Sequence, residues 1–359
     1  MDFTPTEEQA AARDLAAEIL TDLSTHERLC ALGTGTDTEL WKALCASGIP
    51  AAVEDVGLLG LALVLEEQGR RTAQIPLAAT CAYGLLPVAA HGSAETRARL
   101  LPALREGTAV ATGAFPLPAV GTAVQASPQG EGWRLTGEVP MVPWLREATH
   151  VLVPARCAED RAVRCFLVET RAVRVTDVET TAPWSAGRLA LEHVPGDPLA
   201  DGAYAPTLAR ARTAFAALQA GVCAGSLARA VAHTCEREQF GRPLSTNQGV
   251  QLRAADAHMD TEAIRVTSYE AAWRHDEGLP ALTHSLTAAW WAAEAGRRVV
   301  HAGQHLHGGI GADVDHPVHR HFLWGRQLDA YLGSSGHLLA ELGELLAAPD
   351  TDTERLEET

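Results

Sequence analysis

The sequence has few aromatic residues, few basic residues and no cysteine pattern that would fix a structure. Lysine and arginine number 29 against 45 aspartates and glutamates, a formal net charge of −16, so binding to bulk nucleic acid or to an anionic membrane is not expected. The seven cysteines are an odd number without a CxxC pair, which argues against a disulfide framework or a zinc ribbon. Aromatic residues make up only 5% of the chain, which indicates an aliphatic, alanine-rich core.

Targeting and membrane-spanning segments are also not predicted. The N-terminus, MDFTPTEEQAAARDL, carries acidic residues where a signal peptide carries basic ones. No apolar run approaches the roughly 18 residues that a transmembrane helix needs. With 359 residues, 47% of them apolar, the chain is long enough to bury a large core in two or three structural units. We therefore expect a globular protein of the reducing cytoplasm.

Hydrophobic periodicity predicts helices at both ends of the chain and strands in the middle. Good helix formers dominate from about residue 6 to 105, with interruptions at Gly48-Ile49-Pro50, Ile75-Pro76 and Leu101-Pro102. Four valine-rich, alternating segments are typical of strands: WRLTGEV (133–139), HVLVPAR (150–156), RCFLVE (164–169) and RLALEHV (188–194). From about residue 208 the apolar spacing returns to that of helices and predicts a first long helix there. Three further helices are predicted over 248–276, 283–304 and 336–347.

This order predicts an α+β, mainly α, protein. Its parts are an N-terminal helical domain (1–108), a small central β-barrel or sandwich (109–203), a C-terminal four-helix bundle (204–348) and a polar tail (349–359). Because the strands are segregated rather than alternating with helices, the pattern excludes a doubly wound nucleotide-binding fold.

The stretch REQFGRPLSTNQ (237–248) joins two predicted helices and allows two interpretations. It is either a helix–turn–helix corner in which Arg237 complements the helix dipole, or an anion site. In the second case Arg237, Gln239 and the amides of the next helix would suit a pyrophosphate. Ser245 or Thr246 is the expected cap of that helix, with Gln248 in its first turn.

The stretch QHLHGGIGADVDHPVHRHFLWGRQ (304–327) combines glycines and histidines. Gly308 and Gly309 allow close approach of a ligand or a positive φ, although such turns also end helices without any ligand. The five histidines (305, 307, 316, 319 and 321) raise the possibility of a metal site. Since His305 and His307 would face different sides of a helix and the chain has no HExxH pattern, we predict no metal site.

Together and in this order, about 60 residues apart, the two motifs resemble those of the acyl-CoA dehydrogenase family. The resemblance covers nearly the whole chain, including LWKALCASGIPA, LEEQGRRTAQIPL, and LTGEV followed by ATHVLVPAR. It implies an FAD enzyme in which a carboxylate removes the α proton of an acyl-CoA thioester while hydride leaves the β carbon for the flavin. It also implies an oligomer, a tetramer in this family, whose subunits share the flavin across an interface.

By this resemblance seven residues are candidates for holding the ADP moiety of a partner's FAD: Arg237, Gln239, Phe240, Gln248, His305, Gly308 and Gly309. We call them the ADP set. His305 stands where many members have glutamine.

The segments that resemble the flavin-facing part depart from the family pattern. AFPLPAVGTA (114–123) replaces a TEP-like segment, and EVPMVPW (138–144) replaces a segment that lies over the isoalloxazine. Pro140 and Pro143 have no N–H to donate to a flavin edge, which argues against an isoalloxazine bound by this chain's own β domain.

The base is missing as well. Where the family reads approximately YEGT, this chain reads YLGS, so that Leu332 stands at the position of the glutamate. Ala211 lies near the alternative position that some members use. Asp329 shares a helix face with Leu332 but would miss the α proton by one or two turns, and His337 is expected to be exposed in the first turn of the last helix.

Three hypotheses follow for the function. The favoured one is a base-lacking subunit that joins a paralogue carrying the base and the full flavin pocket. It resembles the bacterial branch of two-plus-two heterotetramers that act on CoA thioesters of steroid side chains. The second is a self-sufficient flavoenzyme with a relocated base, such as Asp329 or His337, or with monooxygenase chemistry. The third is a non-catalytic structural subunit.

Overall fold

The computed structural model of the chain describes residues 2–115, 123–130 and 132–347. The predicted polar tail (349–359) and most of the segment 114–123 lie outside the described residues. Seven helices come first: α1 (Glu7–Leu23), α2 (His26–Leu32), α3 (Thr38–Ala46), α4 (Ile49–Arg71), α5 (Leu77–Thr80), α6 (Leu86–His91) and α7 (Ala94–Arg105), with a π-helical turn, Cys81–Leu85, before α6.

Strands fill the middle of the chain. They are β1 (Ala111–Gly113), β2 (Gln125–Gln129), β3 (Gly132–Val142), β4 (His150–Cys157), β5 (Val163–Glu169), β6 (Arg174–Asp177) and β7 (Gly187–Pro198). The C-terminal part contains α8 (Tyr204–Glu236), the two-residue strands β8 (Glu238–Gln239) and β9 (Arg242–Pro243), α9 (Gln248–Asp276), α10 (Leu282–His307), α11 (Pro317–Tyr331) and α12 (Ser335–Ala347). The predicted α+β, mainly α, class is confirmed.

Contacts between residues divide the chain into two compact units that do not follow the chain order. The bundle unit comprises the described parts of residues 1–31, 58–73 and 212–353, and the sheet unit those of 32–57 and 74–211. Helix α4 changes unit at Gly57, whose φ of 72° interrupts the helical backbone. The second half of α4 then begins with the amides of Leu58 and Leu59 bonded to the Asp276 carboxylate, at 2.7 and 2.9 Å.

The strands of the sheet unit close into a small barrel. The pairing order β4-β2-β3-β7-β5 returns to β4 through a second pairing of β4 with β5, and β1 and β6 extend the sheet. Alternation along the strands sends one set of side chains inward, and residues such as Leu135, Val151, Val153, Phe166 and Leu189 form a fully buried cluster. The four strands predicted from alternation correspond to β3, β4, β5 and β7.

Glycines bring α4 and α8 into backbone contact within the bundle unit. A Cβ on Gly221 would lie 1.9 Å from the Glu66 carbonyl oxygen, and one on Gly69 would lie 2.1 Å from that of Leu218. Beside this crossing the Glu66 side chain, 4% exposed, accepts hydrogen bonds from Arg265 and from the Tyr269 hydroxyl. Burial alone would raise the pKa of Glu66, but Arg265 and Tyr269 hold it below its usual range.

The expectation that Leu101-Pro102 interrupts a helix is wrong. Pro102 lies inside α7, which continues for one more turn because Leu100, Leu101 and Leu104 are buried along it.

The expectation that no apolar stretch approaches the length of a transmembrane helix is also wrong. Helix α8 contains an 18-residue window of mean hydropathy 1.4, long and apolar enough to cross a membrane by length and composition. Since 72% of that window is buried inside the protein, its apolar character serves internal packing.

A buried histidine makes the stability of the bundle unit depend on pH. His321 is 1% exposed, and its ring nitrogens lie 3.1 Å from the carbonyl oxygens of Arg70 and Pro317. Burial, with the charge of Arg229, lowers the pKa of His321 to about 4. The unfolded chain therefore binds a proton at this residue over a pH range in which the folded chain does not.

We expect the free energy of unfolding to fall by about 2 kcal/mol between about pH 6.5 and about pH 5 because of this residue. Urea unfolding at both pH values should show the loss in the natural protein and in His258→Gln, which changes an exposed histidine. His321→Gln should lose most of that dependence. The same pH slope in His321→Gln would contradict the assignment.

Candidate functional site

The corner between α8 and α9 is a tight hairpin that projects an aromatic side chain into solvent. Arg237 follows the last residue of α8; its amide donates to the His233 carbonyl (2.8 Å) and its carbonyl accepts from Leu244 (2.9 Å). Gln239 pairs with Arg242 in the short ladder. At the tip, Phe240 is fully exposed and has a φ of 54°. A left-handed backbone is unfavourable for a bulky residue, so this hairpin holds Phe240 outward at some cost.

The next helix begins with its amides directed to the same corner. Asn247 caps α9, its side chain accepting from the Gly249 amide at 2.9 Å, so the expectation that Ser245 or Thr246 is the cap is wrong. Thr246 lies in a 3₁₀ turn, and its hydroxyl donates to the Pro243 carbonyl instead. Gln248 is the first residue of α9 and is exposed.

The glycine loop follows α10 directly. Gly308 ends the helix with a φ of 68°, and a 3₁₀ turn covers Gly308–Ala312. The Gln304 side chain fixes this turn by donating to the Gly311 carbonyl at 3.0 Å. Apart from the adjoining residues, no atom of the described part of the chain lies within 4 Å of a Cβ built on Gly308 or Gly309. Both glycines are exposed, so their backbone is open to a ligand or a second chain.

Stacked histidines bring the two motifs to one end of the bundle unit. The rings of His233 and His307 lie 4.6 Å apart, centroid to centroid. His233 is one helical turn before Arg237, and His307 directly precedes Gly308. All seven residues of the ADP set are exposed. Their assignment to ADP stays a prediction, but the structure brings the end of α8, which leads into the hairpin, next to the end of α10, which leads into the glycine loop.

The histidines of this region have structural contacts. His305 is exposed whereas His307 is buried, and the His307 ring lies 2.7 Å from the Gly303 carbonyl. Burial lowers the pKa of His307. His316 caps α11 by accepting from the Val318 amide at 3.2 Å. Within the described ranges, no group of three or more His, Cys, Asp or Glu is arranged to hold a metal ion.

The turn that carries Leu332 borders a small apolar cavity. Leu332 follows α11 directly, is 8% exposed, and precedes Gly333, whose φ is 128°. The adjoining cavity has a volume of about 20 Å³, and the residues lining it are Arg212, Phe215, Ala216, Ala289, Ala292, Ala293, Leu328, Tyr331, Leu332, Gly333 and Leu338. None of these lining residues carries a carboxylate.

The two alternative bases lie elsewhere. The carboxylate of Asp329 binds the Arg326 guanidinium at 2.5 Å, and burial raises the pKa of Asp329 while Arg326 and Arg297 oppose the increase. Asp329 is not among the residues lining the cavity. His337 is exposed in the first turn of α12, 3.2 Å from the Ser334 hydroxyl. Ala211, which lies near the alternative base position that some family members use, is fully buried.

Sequence reasoning missed the most buried charge near Leu332. The Arg212 side chain is 1% exposed and forms a bidentate pair with Glu341 of α12, at 2.8 and 2.7 Å. The available signal was its position, because Arg212 lies among the apolar residues of α8, between Ala211 and Ala214.

In the sheet unit, the segment 138–144 ends in a buried tryptophan whose stacking sequence reasoning also missed. Pro140 lies in β3 and Pro143 just after it, and the Pro143 carbonyl accepts from the Thr112 hydroxyl at 2.5 Å. Trp144 is fully buried, has a φ of 53°, and stacks on Trp184 with ring centroids 4.4 Å apart. The segment 138–144 therefore ends in an indole ring that is buried and stacked on a second one.

Comparisons with known proteins agree with this architecture. The C-terminal domain model of the acyl-CoA dehydrogenases matches residues 203–346. The chain is 35% identical to acyl-CoA dehydrogenase FadE27 of Mycobacterium tuberculosis, over 97% of this chain and 99% of that protein.

Two solved structures are also similar over almost their whole length. A variant of the Tcur3481–Tcur3483 steroid ACAD has a TM-score of 0.89 at 41% identity, covering 95% of this chain and 98% of that one. The ChsE4–ChsE5 complex of M. tuberculosis has a TM-score of 0.91 at 33% identity, covering 97% and 100%. The chain belongs to the acyl-CoA dehydrogenase family and resembles the subunits of its heteromeric, steroid-type complexes.

Proposed function

We propose that this chain is a base-lacking subunit of a heteromeric acyl-CoA dehydrogenase. It joins a paralogous subunit that carries the base, and it completes that subunit's FAD site across their interface. The complex dehydrogenates an acyl-CoA thioester between the α and β carbons, and CoA thioesters of steroid side chains are the proposed substrate class. The observation that carries the proposal is Leu332, a hydrocarbon side chain at the position of the family's base.

The surroundings of Leu332 support the absence of a general base in this chain. A general base must lie within hydrogen-bonding reach of the proton that it removes. The cavity at Leu332 is apolar apart from Arg212, and an arginine does not accept protons at neutral pH. Asp329 is engaged by Arg326, and His337 faces solvent. Neither is suited to replace a carboxylate at Leu332, which disfavours a relocated base.

Family members bind FAD, which accepts a hydride when bound, and this chain offers half of a site for it. The ADP set is exposed, and Gly308 and Gly309 leave room for close approach of a ligand. These features suit the ADP part of a flavin held mainly by another subunit. The sheet unit does not suit the isoalloxazine, because Pro140 and Pro143 have no N–H groups and Trp144 and Trp184 stack on each other.

The exposed face of α9 supports a partner subunit. Leu252, Met259 and Val266 recur every seven residues and are 58%, 62% and 46% exposed. A heptad stripe of apolar side chains is typical of a helix that packs against other helices. Charged residues, among them Arg253 and Asp256, line a groove beside the stripe. We propose a two-plus-two heterotetramer; the ChsE4–ChsE5 and Tcur3481–Tcur3483 structures, which each contain two different chains, support an unlike partner.

Expression with and without the paralogue tests the proposal. With a tag on this chain only, we expect the paralogue to co-purify, the native mass to fit two copies of each chain, and flavin absorbance to appear only in the complex. This chain alone should be colourless and inactive toward acyl-CoA. A stable homotetramer with one FAD per chain would overturn the proposal. Flavin-dependent oxidation of NADH by the isolated chain would favour a monooxygenase instead.

A further inference from the structure

We propose that Arg212 and Glu341 make α12 a lid over this chain's own acyl pocket. In this proposal, Glu341 acts as an internal ligand of a buried carboxylate site. When α12 opens, the site would bind an aliphatic carboxylate. Its carboxylate group would pair with the Arg212 guanidinium, and its hydrocarbon chain would lie in the cavity beside Leu332. The inference rests on the proposed function, which takes Leu332 to stand at the position of the family's base. On that basis we take the small cavity beside Leu332 to be what remains of an acyl pocket.

Arg212 provides the charge that the site is built around. Its side chain is 1% exposed, and both terminal nitrogens bind Glu341, at 2.8 and 2.7 Å. Its buried Nε has no hydrogen-bond partner among the described residues. A guanidinium remains charged in proteins, and burying a charge without a counter-ion is strongly unfavourable. Arg212 therefore requires a carboxylate, and Glu341, which is 37% exposed, can be replaced by one from solution.

The cavity next to this pair has the walls of an aliphatic pocket. Alanines of α8 and α10 form much of the lining (Ala216, Ala289, Ala292 and Ala293), with the ring of Phe215 beside them. Small side chains leave room between helices. On α12, Leu338 fills that room, being 1% exposed and packed with Leu286, Ala289 and Ala293. The remaining volume of about 20 Å³ is enough for one water molecule but not for an acyl chain.

Helix α12 therefore supplies both the carboxylate that pairs with Arg212 and the side chain that fills the cavity, since Glu341 and Leu338 lie on the same face of α12, three residues apart. The connection to α11 passes through Gly333, whose φ of 128° suits glycine and lets the chain turn sharply. The Glu294–Ser335 hydrogen bond holds the start of α12. In its C-terminal half, Leu342 and Leu345 pack against the cluster that contains Leu338. Release of the Arg212–Glu341 pair removes the ion pair that ties the middle of α12 to α8 and leaves the apolar contacts of Leu338 and Leu342 to hold it.

The test uses the complex with its paralogue and the variants Glu341→Ala and Glu341→Gln. Glu344→Ala is the matched control, because Glu344 lies on α12 and is exposed. We expect hydrogen exchange over residues 335–347 to accelerate at least tenfold in both Glu341 variants and to stay unchanged in Glu344→Ala. Titration with decanoate should show binding to Glu341→Ala at least tenfold tighter than to the natural complex.

The double variant Arg212→Gln/Glu341→Ala separates the charge from the cavity. It should lose the tighter decanoate binding although its α12 still exchanges fast. Unchanged exchange and unchanged decanoate affinity in both Glu341 variants would overturn the lid, as would equally tight decanoate binding by the double variant. If Glu341→Ala does not fold, Glu341→Gln, which keeps the shape of the side chain, decides by the same measurements. Failure of the proposed function is recognised separately, by a homotetramer with one FAD per chain.

Discussion

Replacement of Arg237 by glutamine is expected to remove most of the FAD from the complex of this chain with its paralogue. Arg237 is exposed one helical turn after His233, whose ring stacks on His307 just before the glycine loop. Its backbone is fixed by hydrogen bonds to His233 and Leu244. A guanidinium bound to a pyrophosphate forms charge-assisted hydrogen bonds. Losing them should weaken FAD binding about tenfold to a hundredfold, the equivalent of about 1.5–3 kcal/mol. The measurement is flavin absorbance per complex after dialysis.

Arg242→Gln is the matched control for this experiment. Arg242 lies in the same hairpin, is also exposed, and is outside the ADP set. We expect the Arg242 variant to keep its FAD and both variants to keep the native mass of the complex. Full FAD occupancy in Arg237→Gln would show that this chain does not hold the flavin's ADP, and it would favour a structural subunit.

Replacement of Gly221 by alanine is expected to prevent stable folding of the bundle unit. The added Cβ would lie 1.9 Å from the Glu66 carbonyl oxygen, 2.7 Å from the Glu66 carbonyl carbon and 2.9 Å from the Arg70 amide nitrogen. These are backbone atoms of α4, so no side chain can move aside. The helices must separate, and Glu66 with its bonds to Arg265 moves with them. We expect a loss of about 4 kcal/mol or more in the free energy of unfolding.

Thermal and urea unfolding of the purified variant measure this effect. Gly343→Ala serves as the control, because Gly343 lies on the exposed side of α12 and a Cβ there would meet no atom of the described residues within 4 Å beyond its own turn of helix. Alanine there should be neutral or stabilising by up to about 1 kcal/mol. A Gly221→Ala protein as stable as the natural one would contradict the backbone contact between α4 and α8.

Local patterns in the sequence predicted most of the elements, and each failure has its own physical cause. Alternation identified β3, β4, β5 and β7, which are long enough to show a period of two, but not β1, with three residues, or β6, with four. Pro102 was interpreted as a helix end from its chemistry alone, whereas burial of neighbouring leucines continues α7 through it. The cap of α9 was placed one or two residues too early, because several residues in STNQ can act as caps.

The organisation into units could not be predicted, because each unit is assembled from separate stretches of chain. The sequence suggested consecutive domains with a boundary near residue 108. In the structure, residues 58–73 join the bundle unit, where Asp276 caps the amides of Leu58 and Leu59. A cap 217 or 218 residues away leaves no local signal, since it depends on how the chain folds back.

In the candidate site, too, some features can be read from the sequence and others depend on tertiary contacts. The sequence by itself determined the family resemblance, the choice of residues predicted to form the ADP set, and the presence of a hydrocarbon side chain at position 332, because these are matters of residue type and order. Only the tertiary structure decided that Arg212 meets Glu341 across 129 residues, that Leu338 fills the space beside Leu332, and that Trp144 stacks on Trp184. Burial and ion pairing between distant residues decided these features, and such contacts are fixed by the packing of helices and strands rather than by any local pattern.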